Sequence, residues 1–177
     1  MIQLVNDILQ LSHLDNVSET GAAPAMETVD LLDVARECVE RQKVNARRSY
    51  ISLTYLGESA PVTGSRVLLD ELCQNLCDNA IRYNRPGGKV QIITACTRDG
   101  HCTLTVKDNG IGIPKEAQTS VFERFYRVDK SRSKATGGTG LGLAIVKHIA
   151  RIHNARIKLD SVVDEGTTIT VIFETAS

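Results

Sequence analysis

Two asparagines on one predicted helix are the first residues whose type and spacing indicate chemistry. Asn75 and Asn79 lie in the stretch ELCQNLCDNAIRY, residues 71 to 83, and a separation of four places them on one helix face. Asparagine is a mediocre helix former, because its short side chain competes for nearby backbone hydrogen bonds. The pair therefore needs a local reason, although a solvated polar edge is the alternative that this stretch alone leaves open.

Two glycine-rich stretches follow the asparagines. DNGIGIP, residues 108 to 114, comes directly after a predicted strand, and GGTGLGLAIV, residues 137 to 146, comes directly before a predicted helix. Glycines at such places let the backbone approach a ligand, and a helix N-terminus offers free N–H groups to phosphate. A dinucleotide-binding turn is disfavoured, because the polar run RVDKSRSKAT stands where that fold needs a strand, and the P-loop pattern is absent.

A basic segment separates the two glycine stretches. It has no apolar periodicity, and its cations are Arg124, Arg127, Lys130, Arg132 and Lys134. A basic loop hinged by neighbouring glycines could close over a polyphosphate and neutralise its charge. A solvated basic loop without a ligand is the alternative, since most charge runs are only solvated.

Composition limits the class of protein. With 177 residues, of which 42% are hydrophobic, the chain fits one domain with a short attachment. Its 21 basic and 21 acidic residues balance, so bulk charge gives no indication of a nucleic-acid partner. Five cysteines without a CxxC pair predict reduced thiols rather than a disulfide frame or a zinc site. Since no apolar run is long enough for a membrane span, we expect this fragment to be cytoplasmic.

The periodicity of the chain predicts the elements that position these residues. Residues 1 to 16 have a helical pattern with a wide apolar face, and residues 17 to 26 resemble a linker. Further along, we expect a helix capped by Asp30, the asparagine helix over about 65 to 84, two hairpins and a last helix. GESAPVTG is predicted as a turn. The sum is an α+β fold, a two-layer α/β sandwich with a mixed, mostly antiparallel sheet and about three helices on one face.

Four motifs in a fixed order resemble a known family. NxxxN on a helix, DNGIGIP, VFERFYRVDKSRS and GGTGLGLAIV have the forms of the N, G1, F and G2 boxes of the catalytic ATP-binding domain of bacterial sensor histidine kinases. The wider kin are the GHKL ATPases, which include gyrase, a heat-shock chaperone and mismatch-repair proteins. The resemblance implies a catalytic ATP-binding domain over residues 27 to 177. Residues 1 to 16 resemble the end of the second dimerisation helix.

The resemblance also implies which residues bind ATP and Mg²⁺. Asp108 would accept a hydrogen bond from the adenine amino group. Asn79 would coordinate Mg²⁺ with Asn75 as a companion amide, and these two are the candidate catalytic residues. The other cofactor-binding positions implied by the match are Arg82, Tyr83, Gly110, Gly112, Ile113, Phe122, Phe125, Arg127, Lys130, Arg132, Gly138, Thr139, Gly140, Leu141 and Gly142.

Position 75 bears on the reaction itself. ATP-hydrolysing relatives have a glutamate there that activates water, whereas Asn75 is an amide without basicity. The resemblance therefore implies transfer of the γ-phosphoryl group to a histidine, and then to a response regulator. None of the four histidines lies in the expected acceptor motif; they are His13, His101, His148 and His153. We expect the acceptor outside these residues, on the missing dimerisation domain.

The implied partners are this chain's own dimerisation domain and the receiver domain of a response regulator. The parent is expected to be a homodimer anchored in the plasma membrane, and the fragment by itself can be a monomer. Two alternatives remain open, a GHKL serine kinase of the anti-sigma type and an ATP-sensing or scaffold module without transfer. The helix over residues 1 to 16 argues against the anti-sigma type.

Overall fold

The structure, a computed structural model, describes residues 2–21, 24–129 and 138–174. Within these ranges the helices are α1 (Ile2–Thr20), α2 (Leu31–Arg48), α3 (Arg66–Arg82) and α4 (Gly142–Ile152), with a 3₁₀ turn at Lys115–Ala117. The strands are β1 (Glu27–Asp30), β2 (Ser52–Gly57), β3 (Pro61–Gly64), β4 (Lys89–Cys96), β5 (His101–Asp108), β6 (Arg156–Val162) and β7 (Gly166–Glu174). The predicted α+β class is confirmed.

Five strands form one mixed sheet in the order β2-β4-β5-β7-β6. Only the β2–β4 pairing is parallel, and the two predicted hairpins are the antiparallel pairs β4–β5 and β6–β7. The prediction of a turn over GESAPVTG is wrong in its second half, because Pro61–Gly64 pairs with Glu27–Asp30 in a separate two-stranded sheet. The segment begins with proline and ends with glycine, which are depleted in strands and typical of turns.

Helix α3 lies between α2 and α4 on one face of the main sheet. Its buried residues repeat at helical spacing, and they include Leu69, Leu72 and Leu76. The helix begins after Ser65, whose hydroxyl accepts the N–H of Leu68, as expected of an N-cap. The three helices of the predicted two-layer sandwich are therefore α2, α3 and α4.

Helix α1 packs against α4 and is longer than predicted. It continues to Thr20, so the prediction of a linker from residue 17 is wrong for residues 17 to 20. Residues 17 to 20 have no repeated apolar pattern, so the sequence did not predict this last turn of the helix. In the structure, the Thr20 hydroxyl donates to the Asn16 carbonyl one turn earlier. Leu11 and Leu14 are buried. Within the described ranges, no helix combines the length and the apolar character needed to cross a bilayer.

One pair of cysteines contradicts the prediction of reduced thiols. Cys96 and Cys102 face each other across the β4–β5 ladder and form a disulfide. Sequence spacing could not reveal this pair, since it depends on the register of the hairpin. The remaining three cysteines, Cys38, Cys73 and Cys77, are buried free thiols.

The disulfide predicts how many cysteines react with an alkylating reagent. Denatured without reductant, the protein should take up iodoacetamide at its three free cysteines, and after reduction at all five. Intact-mass spectrometry counts the added groups. In the control Cys96→Ser, the number should be the same with and without reductant. Five labelled cysteines in unreduced wild type would contradict the pairing.

Candidate functional site

A cleft of about 690 Å³ lies beside α3, between the end of β5 and the start of α4. This volume is typical of small-molecule sites. The structure brings together at its wall the following predicted residues: Asn75, Asn79, Arg82, Tyr83, Asp108, Gly112, Ile113, Arg127, Gly138, Thr139, Gly140 and Gly142. Apolar side chains complete the wall, among them Leu76, Val106 and Ile169.

Asp108 stands at one end of the cleft, where β5 ends. Its Oδ1 accepts the N–H groups of Gly110 at 2.8 Å and Thr167 at 3.3 Å. Burial raises the pKa of this carboxyl, and the two backbone hydrogen bonds oppose the rise. Because both bonds use Oδ1, the carboxylate has a fixed orientation, in which Oδ2 can accept from a ligand.

The glycines after β5 allow close packing of the backbone. A Cβ on Gly110 would lie 2.5 Å from the carbonyl oxygen of Tyr83, which accepts the N–H of Ile111 at 3.1 Å. Gly112 has a φ of 71°, and a Cβ there would lie 2.2 Å from the Val162 carbonyl oxygen. Any side chain at either position would push this loop away from α3 or β6.

Helix α4 begins at the opposite end of the cleft. Its first residue, Gly142, is not preceded by a side chain that caps the helix, so the first N–H groups and the helix dipole suit an anion. The Asn75 amide nitrogen donates to the Glu71 carbonyl at 2.9 Å. The Asn75 amide oxygen lies 3.5 Å from the position that a Cβ on Gly142 would take. An amide oxygen and free N–H groups therefore meet at this end.

Backbone contacts join the two ends of the predicted basic loop. The Phe125 N–H donates to the Gly140 carbonyl at 2.9 Å, and both residues have positive φ values, 63° and 75°. The Arg127 guanidinium donates to the Gly138 carbonyl. A Cβ on Gly140 would lie 3.0 Å from the Phe125 backbone, so glycine is needed for this contact.

Some predicted binding residues do not line the cleft. They are Gly110, Phe122, Phe125 and Leu141. Leu141 is buried in the core, and Phe122 packs against the core. Phe125 is exposed. In this structure these residues hold the loops that carry the site. Lys130 and Arg132 lie outside the described residues, so their contact with phosphate stays a prediction.

Two of the cleft residues that the sequence reasoning missed form hydrogen bonds with predicted site residues. Thr167 holds Asp108 because the β5–β7 register places the two opposite each other, and a predicted strand without a register could not show this. Asp7 belongs to α1, yet it lines the cleft and accepts a hydrogen bond from Thr139 at 2.6 Å. The sequence carried no signal for the docking of α1 on this domain.

Comparison with known proteins identifies the fold that carries this site. The family model described as "Histidine kinase-, DNA gyrase B-, and HSP90-like ATPase" matches residues 64–177. The chain belongs to this family.

The similar proteins are sensor kinases. The sensor-like histidine kinase SenX3 of Mycolicibacterium smegmatis is 44% identical over 176 residues, which is 97% of this chain and 44% of SenX3. The sensor protein kinase WalK of Staphylococcus saprophyticus is 38% identical over 170 residues, 96% of this chain and 27% of WalK. The chain thus spans less than half the length of these curated relatives.

A solved structure of the mycobacterial sensor histidine kinase MprB is similar in both fold and sequence. It superposes with a TM-score of 0.72 at 32% identity, over 85% of this chain and 97% of that chain. The chain is therefore homologous to the catalytic ATP-binding domain of sensor histidine kinases.

The role of Asp108 in this ATP-binding family can be tested by substitution. Asp108→Ala removes the carboxylate at the β5 end of the cleft, so we expect ATP affinity to fall at least roughly a hundredfold. Isothermal titration calorimetry measures the loss. Asp160→Ala, on the exposed side of β6, is a control for removing a carboxylate. Unchanged affinity in folded Asp108→Ala would contradict the adenine role.

Glu71, one turn before Asn75, makes stability depend on pH. Burial, and secondarily the charge of Asp7, raise the pKa of the Glu71 carboxyl from 4.5 to about 7. Between these values the folded protein keeps a proton that the unfolded chain releases. The stabilisation that this bound proton provides is therefore fully present below pH 4.5 and is lost as the pH rises through 7.

Glu71→Gln should remove this loss. We expect the melting temperature of the variant minus that of wild type to be larger at pH 8 than at pH 5, because glutamine has no proton to lose. Thermal unfolding followed by circular dichroism measures the difference. Glu123→Gln, at an exposed position, controls for the change of net charge. A difference between Glu71→Gln and wild type that is independent of pH would contradict the raised pKa.

Proposed function

We propose that this domain binds Mg-ATP in the cleft and transfers the γ-phosphoryl group to a histidine of its parent chain. The observation that carries the proposal is the placement of Asp108 and the uncapped start of α4 at opposite ends of one cleft. The first suits an adenine amino group and the second a phosphate chain.

The adenine end combines a fixed acceptor with an apolar wall. The Asp108 Oδ2 can accept from an exocyclic amine, while the bonds from Gly110 and Thr167 hold the carboxylate in place. Val106 and Ile169 offer apolar surface to a flat base. Such a site favours adenine over guanine, which presents a carbonyl where adenine has its amino group.

The phosphate end can hold an anion together with a metal ion. The N–H groups at Gly142 are suited to phosphate oxygens, and Asn75 and Asn79 offer amide oxygens, which are ligands of the kind that Mg²⁺ accepts. When bound, Mg²⁺ would neutralise charge on the phosphates. Arg82 and Arg127 line the same cleft and can balance further phosphate charge.

Position 75 favours transfer to a protein over hydrolysis. The Asn75 amide nitrogen donates to the backbone of its own helix, and an amide has no basicity with which to take a proton from water. Glu71, the carboxylate one turn earlier, lines an adjoining pocket rather than the cleft itself. Position 75 thus offers no base that would activate water, which favours an acceptor that brings its own nucleophile.

The acceptor and the downstream partner are proposed from the class of protein. The relatives named above are sensor kinases, so we propose that a dimerisation domain supplies the histidine and that a receiver domain takes the phosphoryl group. Helix α1 exposes Ile2, Val5 and Leu9, an apolar face suited to a partner helix of a homodimer. We place the domain in the cytoplasm, where ATP is supplied, as part of a membrane-anchored sensor.

A transfer assay tests the function. The domain, radiolabelled ATP, Mg²⁺ and a separately produced dimerisation domain of the parent should yield labelled acceptor whose phosphate is acid-labile and base-stable. In Asn79→Ala we expect transfer to fall by roughly a hundredfold, because an oxygen ligand of the metal is lost.

Other outcomes identify other functions. Phosphoserine on a partner would instead indicate a kinase of the anti-sigma type. ATP binding without any transfer would contradict the kinase proposal and leave an ATP-sensing module.

A further inference from the structure

Helix α1 places a carboxylate in the wall of the nucleotide cleft. Asp7 is only 5% exposed. Its Oδ2 accepts from the Thr139 hydroxyl at 2.6 Å and its Oδ1 from the Gln3 amide at 2.8 Å. Both partners are neutral, so neither hydrogen bond pairs the negative charge of Asp7 with a cation.

Asp7 lies at the phosphate end of the cleft. The Thr139 hydroxyl that donates to Asp7 also accepts the N–H of Leu141, directly before α4. Asp7 and Glu71 of α3 line one adjoining pocket, and the charge of Asp7 contributes, after burial, to the raised pKa of Glu71. The β and γ phosphates of a nucleotide at the start of α4 would therefore lie in the field of Asp7.

Contacts outside the cleft hold α1 in this position. One guanidinium nitrogen of Arg124 donates to both carboxylate oxygens of Asp15, at 2.8 and 3.0 Å. The Leu14 carbonyl lies 3.2 Å from Nε2 of His148. Arg124 lies at the start of the predicted basic loop and Thr139 just after it, so α1 contacts both ends of that loop. The place of Asp7 is thus set by how α1 docks.

We propose that Asp7 is an electrostatic gate: with α1 docked, its carboxylate weakens binding of the phosphates beyond the first and leaves adenosine binding unchanged. The proposal rests on the proposed function, since it concerns the same nucleotide site. Release of α1 removes the charge from the cleft and strengthens binding of ATP. By linkage, ATP binding then favours release of α1 to the same extent.

The gate predicts an effect that depends on the number of phosphates. Calorimetric titration of Asp7→Asn with AMP, ADP and ATP, in EDTA and in Mg²⁺, compares the three nucleotides in one protein. In EDTA we expect ATP affinity to rise roughly tenfold, ADP affinity less, and AMP affinity not at all, because only the outer phosphates face Asp7. The readout is the ratio of ATP to AMP affinity.

Two control variants separate charge from packing. Asp7→Glu keeps the charge, so its ratio should remain near that of wild type. Glu19→Gln removes a charge from an exposed position of the same helix and should also leave the ratio unchanged. If Asp7→Asn does not fold, Asp7→Ser makes the same test, because serine can also accept from Thr139.

Each contrary result overturns the gate in a different way. An unchanged ratio in Asp7→Asn, or an equal rise in Asp7→Glu, excludes an effect of charge. A loss of ATP affinity in Mg²⁺ but not in EDTA would make Asp7 a metal ligand. If wild type binds no adenine nucleotide, the proposed function fails and the gate with it, whereas normal ATP binding with an unchanged ratio removes the gate alone.

Discussion

Helix α3 must bury one face in the core and also present the edge of that face to the cleft, and the geometry of the site follows from this double requirement. Leu69 and Leu72 are fully buried in the core, while Asn75 and Asn79, at the edge of the buried face, line the cleft. Burial of one leucine contributes about 2 kcal/mol. Several such residues can offset the weak helix propensity of the two asparagines, which costs less than about 1 kcal/mol each.

The two ends of α3 fix its position relative to the rest of the site. At the N-terminus, the Ser65 N–H donates to Nε2 of His153 at 3.0 Å, just after α4. At the C-terminus, the Tyr83 carbonyl accepts the Ile111 N–H in the loop that follows Asp108. Burial lowers the pKa of His153, which keeps Nε2 available as an acceptor. Helix α3 is thus tied at its N-terminus to the residue that ends α4 and at its C-terminus to the loop after β5, by contacts that the sequence motifs do not record.

The sequence allowed the prediction of features that repeat locally. The spacing of leucines predicted α3, and Asp-Gly and Asp-Glu-Gly turns predicted the two hairpins. Features that depend on distant pairing were missed, such as β3 against β1, Cys96 against Cys102, and the docking of α1. Motif membership also did not distinguish contact from support: Gly112 lines the cleft, whereas Gly110 packs behind it against Tyr83. The ligand roles of these residues stay predictions, because the motifs define them only by resemblance.

The polar contacts that α1 makes beside the cleft are individually weak. An exposed ion pair such as Asp15–Arg124 contributes about 0–1 kcal/mol, and a hydrogen bond to a charged group such as Asp7–Thr139 about 1.5–3 kcal/mol. The sum of these polar contacts is comparable to the 1–3 kcal/mol that typically couples two sites, and the burial of Leu11 and Leu14 adds about 2 kcal/mol for each side chain to the docking of α1. Because a backbone hydrogen bond between Phe125 and Gly140 joins the two ends of the predicted basic loop, a movement of α1 would affect both ends together. The position of α1 and the occupancy of the cleft can therefore change each other through ordinary, reversible contacts.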